Sequence, residues 1–153
     1  MNAPLASSDT ALAIAEIEDA DIDAVIALWQ RCGLTRPWND PAADIALARR
    51  ETNTAILLGR EQDAIAATVM VGHDGHRGWV YYVAVDPDFR GRSYGRAIMD
   101  AAEDWLRARG IPKLQLLVRR DNAKVQAFYE TLDYIEQDRI IYAKWLDGRD
   151  PTP

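Results

Sequence analysis

The sequence predicts a mixed α/β domain. Strand-like and helix-like apolar patterns alternate along the chain from Leu12 to Trp145. One buried strand pattern, Trp79 to Val85, runs through a Gly- and Arg-rich loop directly into a helix pattern at Tyr94. A second strand and helix, Lys113 to Val118 and Ala123 to Leu132, follow the helix stop at Gly110 and Pro112. Such alternation places helices on the faces of one sheet.

The elements follow in order. Leu12 to Glu18 alternates apolar and polar residues as a first strand. Asp19 or Asp21 caps a helix whose apolar residues Ile22, Val25, Ile26, Leu28 and Trp29 fall near helical spacing, and Gly33 stops it. Asp40 and Pro41 read as cap and first residue of a second helix ending near Arg50. Thr54 to Arg60 and Ala64 to Val71 are strands around the polar turn Glu61 to Asp63, and His73 to Gly78 is the next turn. A long helix spans Tyr94 to Arg109, and Tyr134 to Gln137 with Arg139 to Trp145 are expected as a closing antiparallel strand pair. Residues 1–11 and 147–153 read as flexible tails around a single domain at 12–146.

Composition narrows the function classes. At 153 residues with 48% hydrophobic and 27% charged side chains, the chain is an ordinary globular domain. A net charge of −6 argues against a nucleic-acid partner. No apolar run approaches the roughly 20 residues of a membrane span, and the N-terminus lacks signal-peptide character, so no membrane partner is expected. Cys32 is the one cysteine, which fits a reducing, cytoplasmic setting. His73, Asp74 and His76 are explained by an Asp-Gly turn, and no metal is expected.

The run Val83-Ala84-Val85-Asp86-Pro87-Asp88-Phe89-Arg90-Gly91-Arg92-Ser93-Tyr94-Gly95-Arg96 builds an anion site. A helix start presents amides without intrahelical partners, glycines allow close approach, and three arginines add full charges. No Gly-Lys-Ser/Thr of a P-loop and no G-x-G-x-x-G in an early βαβ unit is present.

The run resembles the loop motif [QR]-x-x-[GA]-x-[GA] of the GNAT family of N-acetyltransferases, here on Arg90, Ser93 and Gly95, with Ser at the first small position. The second segment is similar to that family's N-x-x-A-x-x-[FL]-Y-x-x-x-G-[FY], matched at Asn122 and Tyr129 and departing at Asp133. The loop Arg36-Pro37-Trp38-Asn39-Asp40 also resembles an uncharacterised bacterial branch of the family. The resemblance implies a mostly antiparallel sheet of six or seven strands flanked by four helices, with a V-shaped split between strands four and five. It implies acetyl-coenzyme A as acyl donor, held by Arg90, Gly91, Arg92, Ser93, Tyr94, Gly95 and Arg96 with Val83, Ala84, Val85, Asn122 and Tyr129. A distortion near Val83 and Ala84 would aim a backbone N–H at the thioester oxygen.

Acetyl transfer to an amine by direct attack in a ternary complex needs a neutral nucleophile, donors for the developing oxyanion and a proton for the thiolate. Tyr129 takes the last role by resemblance. Leu117 stands where the branch acting on protein N-termini has a Glu, so the base is sought among Tyr82, His76, Asp40 and Asp44. Each also has a structural reading, Tyr82 as a core aromatic, His76 as a turn residue and Asp40 as a helix cap. The connection between the first two helices, with Arg36, Trp38, Asn39 and Asp40, is expected to shape the acceptor site. The acceptor is a small amine or a peptide amine, and a homodimer is left open. A coenzyme A-binding regulatory module without turnover is the alternative that Ser93, Leu117 and Asp133 would support.

Overall fold

The computed structural model describes residues 12–150. Two compact units divide the chain, one running to Leu116 and the other from Leu117. The predicted tail 1–11 lies outside the described residues.

In the first unit, β1 (Ala13–Glu16) leads through a 3-10 turn at Asp19–Asp21 into α1 (Ile22–Arg31), then α2 (Pro41–Arg50), β2 (Thr54–Glu61), β3 (Ala64–His73), β4 (Gly78–Val85), α3 (Tyr94–Arg107) and β5 (Leu114–Gln115). The strands form one sheet in the order β1-β2-β3-β4-β5, antiparallel throughout except for the parallel pair of β4 and β5. The expected cap of α1 is not made: Asp21 precedes the helix without a side-chain capping bond and accepts the Glu18 amide at 2.9 Å instead, while the signals of α2 and of the α1 stop have their expected partners. The Asp40 carboxylate caps α2 by accepting the Ala43 amide at 3.2 Å, with Pro41 at the first position. Gly33 takes a positive φ of 70° just past α1.

The sheet is buried on both faces. Ile17, Val25, Leu28, Trp29, Ile45, Ala48, Ile56, Leu58 and Ala84 form one core cluster from α1, α2 and the strands. The buried stripe of α3 is Tyr94, Ile98, Met99, Ala102 and Leu106, spaced for one helix face. A Cβ added to Gly78 would lie 2.4 Å from a Leu106 methyl, so the start of β4 lies under α3 and admits no larger residue there.

β4 then changes face. The register passes from Met70↔Tyr81 to Thr68↔Ala84, so Val69 stands opposite both Tyr82 and Val83, a β-bulge. Tyr82 is left-handed, with φ 53°, and its ring and Ala84 pack with the α1 and α2 cluster. Gly78, by contrast, points at α3. The extra residue shifts the alternation of the strand by one step. Thr68, fully buried, holds the distortion: its hydroxyl donates to the Tyr82 carbonyl at 2.9 Å and accepts the Trp29 indole N–H at 2.9 Å. Trp29 completes the clamp by stacking on the Tyr82 ring, centroids 3.7 Å apart and planes within 8°.

Two expectations are corrected. The sheet has five strands among the described residues, not six or seven: Tyr134 to Gln137 and Arg139 to Trp145 form no strand. Their apolar side chains prompted the expectation, but strand propensity reflects packing on a pleated neighbour. Here Ile135, Ile140, Ile141, Tyr142 and Leu146 are exposed. The strand expected over Lys113 to Val118 contracts to Leu114–Gln115, paired only at Gly78 and Trp79. The ladder is short: β4 continues to Val85 with no β5 residue paired to it after Trp79.

In the second unit, Asn122 caps α4 (Ala123–Thr131) by accepting the Val125 amide at 3.2 Å. Asp133, at φ 71°, takes the left-handed conformation that ends the helix where the family pattern has Gly. Asp147 pairs with Arg149, whose guanidinium lies 4.0 Å from the Trp145 ring centroid.

Thr68→Val should remove both hydroxyl bonds of the bulge while leaving the buried Trp29 N–H without its acceptor. We expect a loss of about 2–4 kcal/mol in urea unfolding at unchanged m value, with Thr68→Ser recovering most of it. An unchanged midpoint would show that the bulge does not depend on this hydroxyl.

Candidate functional site

The loop after β4 is pinned at both ends. At its start, Asp86 is buried, and its carboxylate accepts the Asp88 amide at 2.9 Å and pairs with Arg31 at 2.7 Å. The Asp86 amide bonds the Ala66 carbonyl at 2.8 Å, fixing the loop to β3. At its end, Arg92 donates to both carboxylate oxygens of Glu61, at 2.6 and 2.7 Å, and the Tyr94 hydroxyl donates to Glu61 as well. The Tyr94 hydrogen bond, joined by that of Arg92, holds the Glu61 carboxyl below its usual range. Arg92 also lies 5.2 Å from the centroid of the Phe89 ring.

Between these anchors the backbone turns through Gly91, φ 81°, and Ser93, φ 62°. No neighbouring atom lies within 4 Å of a Cβ built on Gly91, so the turn is open to a ligand. Ser93 is the residue before α3, and its hydroxyl makes no capping bond. The first α-helical bond of α3 runs from the Ala97 amide to the Ser93 carbonyl at 3.1 Å. Amides of the first turn of such a helix have no intrahelical acceptors. Open backbone, a helix start and the guanidinium of Arg90, which forms no ion pair among the described residues, fit a pyrophosphate.

The bulge lies on the same strand, three residues before Val85. Tyr82 donates its hydroxyl proton to Asp44 on α2 at 2.7 Å. Burial, reinforced by that bond and by the charges of Asp44 and Asp40, raises the Tyr82 pKa far above its ordinary value. Tyr82 is therefore no standing base near neutrality. His76 lies in the turn before β4, with its amide on Asp74, and is separated from the loop by the whole strand of eight residues, roughly 25 Å. The structure does not bring it to the loop.

Of the residues expected at the acceptor site, Asp40 caps α2 and Arg36 bonds the Gly33 and Thr35 carbonyls at 2.7 and 3.0 Å. The Asn39 amide closes the same turn on the Arg36 carbonyl at 3.0 Å, and Trp38 is half-buried. These contacts make the connection a defined loop. In the second unit Tyr129 is buried, packed edge-on to Phe128 and Tyr134, and burial pushes its pKa up to about 12. Cys32 directs its thiol at the Val85 carbonyl, 3.4 Å away, and burial raises its pKa, so it is a poor nucleophile. No cluster of three metal-ligating side chains occurs among the described residues. No described helix is long and apolar enough to cross a membrane.

The acetyltransferase (GNAT) family profile matches residues 15–134. The chain belongs to the GNAT family. An acetyltransferase of Yersinia enterocolitica is 46% identical over 129 residues, covering 84% of this chain and 92% of that protein. The ribosomal-protein-S18-alanine N-acetyltransferase of Escherichia coli superposes with a TM-score of 0.70 at 26% identity, over 90% of this chain and 87% of that one. AAC(6')-Iy, solved with the bisubstrate analogue CoA-S-monomethyl-acetylneamine, gives a TM-score of 0.75 at 15% identity over 88% and 97%. The protein is thus an acetyltransferase enzyme, and its acyl donor is acetyl-coenzyme A. Of the two functional readings open from sequence, the relatives carry the enzyme.

Sequence reasoning missed Glu61, Asp86, Arg31, Thr68 and Trp29 as supports of this region. Nothing local marks Glu61, a charged residue in a polar turn; only the fold brings it under Arg92.

Ser93→Gly should relieve a left-handed Cβ without losing a capping bond. We expect stabilisation of about 1 kcal/mol, read as a higher Tm. A lower Tm would mean that the Ser93 side chain holds the unliganded loop.

Proposed function

We propose that this GNAT enzyme moves the acetyl group of acetyl-coenzyme A to a primary amine by direct attack in a ternary complex. The single observation that carries the reading is the open, doubly anchored turn at Gly91 and Ser93 leading into α3, on the strand that carries the Tyr82 bulge. The bound donor supplies the activated acetyl group.

In this reading Arg90, Gly91, Arg92, Ser93, Tyr94, Gly95 and Arg96 hold the donor's pyrophosphate, and Val83, Ala84 and Val85 offer backbone to its acyl arm. The bulge supports the last assignment, because an extra strand residue is withdrawn from the ladder and re-aimed. By the family motif they match, Asn122 and Tyr129 are assigned to the donor as well, with Tyr129 serving the leaving thiolate. Its raised pKa keeps its proton in place at neutral pH, as a hydrogen-bond donor requires. Arg36, Trp38, Asn39 and Asp40 shape the entry of the acceptor, and Tyr82 meets its amine. The two named neighbours, one acting on the alanine of a ribosomal protein and one bound to an acetylneamine analogue, make peptide amines and amino sugars the first acceptors to try.

The test is mass spectrometry of such a panel after incubation with acetyl-coenzyme A, beside thermal shift with the donor alone. Acetylated amine supports the reading. Donor binding with no acetylation across the panel would overturn the amine as acceptor.

Arg90→Ala should weaken acetyl-coenzyme A by roughly 1–3 kcal/mol in calorimetry. Arg92→Ala should cost less, since phosphate must compete with Glu61 for that guanidinium. Equal losses, or the reverse order, would remove this division of roles.

Tyr129→Phe should lower turnover about 10²- to 10⁴-fold with donor affinity retained. Because the hydroxyl titrates only near pH 12, it should add no alkaline limb to the wild-type rate profile below about pH 11. Wild-type turnover in the variant would take Tyr129 out of the reaction.

A further inference from the structure

We propose that Tyr82 and Asp44 form the route by which the acceptor ammonium loses its proton, with Tyr82 as the group that touches the amine and Asp44 as a positioning residue acting through it. This rests on the amine-acetylation reading above. Tyr82 stands immediately before Val83 on the bulged strand, and its ring is fixed on one face by Trp29. Its carbonyl is held by Thr68. A phenol has one proton to donate and two lone pairs. The proton is directed at Asp44 Oδ2, 2.7 Å away, so toward any third group the oxygen is an acceptor. A protonated amine is the partner that such an oxygen, backed by a carboxylate, suits.

The step balances without leaving charge on the phenol. One ammonium N–H bond breaks as a new O–H bond forms at Tyr82 Oη. The original Tyr82 O–H bond breaks as its proton passes to Asp44 Oδ2. The amine is left neutral with its lone pair, Asp44 becomes a carboxylic acid, and that proton is then released to water. Tyr82 never becomes a free tyrosinate, in keeping with the burial and negative neighbours that hold its proton.

The titratable groups around the pair are few. Asp44 and the capping residue Asp40 belong to α2 and its start, and Asp40 acts on Tyr82 through its charge. From α1, Trp29 carries no charge, and Cys32 just beyond that helix packs on the same cluster with its thiol on Val85. From β3, Thr68 is neutral. Arg31 on α1 is paired with Asp86.

The experiment compares two nucleophiles in Asp44→Asn and Tyr82→Phe. Asn keeps an oxygen that accepts the Tyr82 hydroxyl but cannot take a proton near neutrality, and Phe keeps the ring stack. With an alanyl peptide lacking lysine, whose α-amine has a pKa of about 8, both variants should lose about 10²-fold in kcat at pH 7. The loss should shrink as pH rises past that value. With hydroxylamine, already neutral at pH 7, the loss should stay within about threefold, because no proton need leave before attack. Equal losses with both nucleophiles, or no loss with the peptide, overturn the route. If the wild-type enzyme acetylates neither nucleophile while calorimetry shows the donor bound, the amine reading itself fails; if it acetylates both, only the proton route is on trial.

Discussion

The distortion of β4 at Tyr82 is the constraint on which the rest of the site depends. A tyrosine at positive φ costs on the order of 1–3 kcal/mol, and it persists because three contacts converge on it. Thr68 binds its carbonyl, Trp29 covers its ring and Asp44 takes its hydroxyl. Each comes from a different element, so the strain is held by the packing of α1, α2 and β3 together. The consequence reaches along the strand: below the bulge β4 faces α3 closely enough to require Gly78, and above it Tyr82 and Ala84 enter the opposite core.

The anchors of the following loop differ in energetic kind. One guanidinium nitrogen of Arg92 serves both carboxylate oxygens of Glu61, and with the arginine side chain half exposed the pair adds little to stability. What the pair contributes is position, since it ties the turn to the end of β2. Asp86 is the opposite case. Its carboxylate is only 10% exposed, and removing Arg31 would leave most of its charge desolvated and answered mainly by the Asp88 amide. Loss of a partner to a buried charge costs more than the pair itself contributes. The loop's entry is thus the more tightly determined end.

Much of this was legible from sequence because it is written in local rules. Asp40 with Pro41, Asn122, Gly33 and the arginine loop each declare themselves within four residues, and the family motifs are local too. Ser93 stands at the first small position of the motif, and the structure adds that its backbone is left-handed. The bulge was expected at Val83 and Ala84 and falls with its left-handed residue one step earlier, because its position is set by Thr68, fourteen residues away, and not by the strand's own pattern. Glu61 carries no local signature, and Asp44, a candidate base from sequence, shows its bond to Tyr82 only in the fold. The closing strand pair was misread for the converse reason: Ile140, Ile141 and Tyr142 have strand character, but a strand exists only with a partner ladder.

The two tyrosines illustrate how burial sorts one functional group into different tasks. Tyr129 is raised to about 12, whereas a thiol titrates near 8.5. Complete proton transfer from Tyr129 to a thiolate would therefore run uphill by about 3.5 units, or roughly 5 kcal/mol. In the proposed reaction such a phenol first donates a hydrogen bond to the developing thiolate, and a hydrogen bond to a charge is among the stronger ones. Tyr82 has its own proton committed to a carboxylate, which turns its oxygen toward positive charge. In the proposed reaction, one hydroxyl is thereby suited to the leaving group and the other to the arriving amine. The distinction comes from a single neighbour: Asp44 directs the Tyr82 proton, and the Tyr129 shift arises from burial alone.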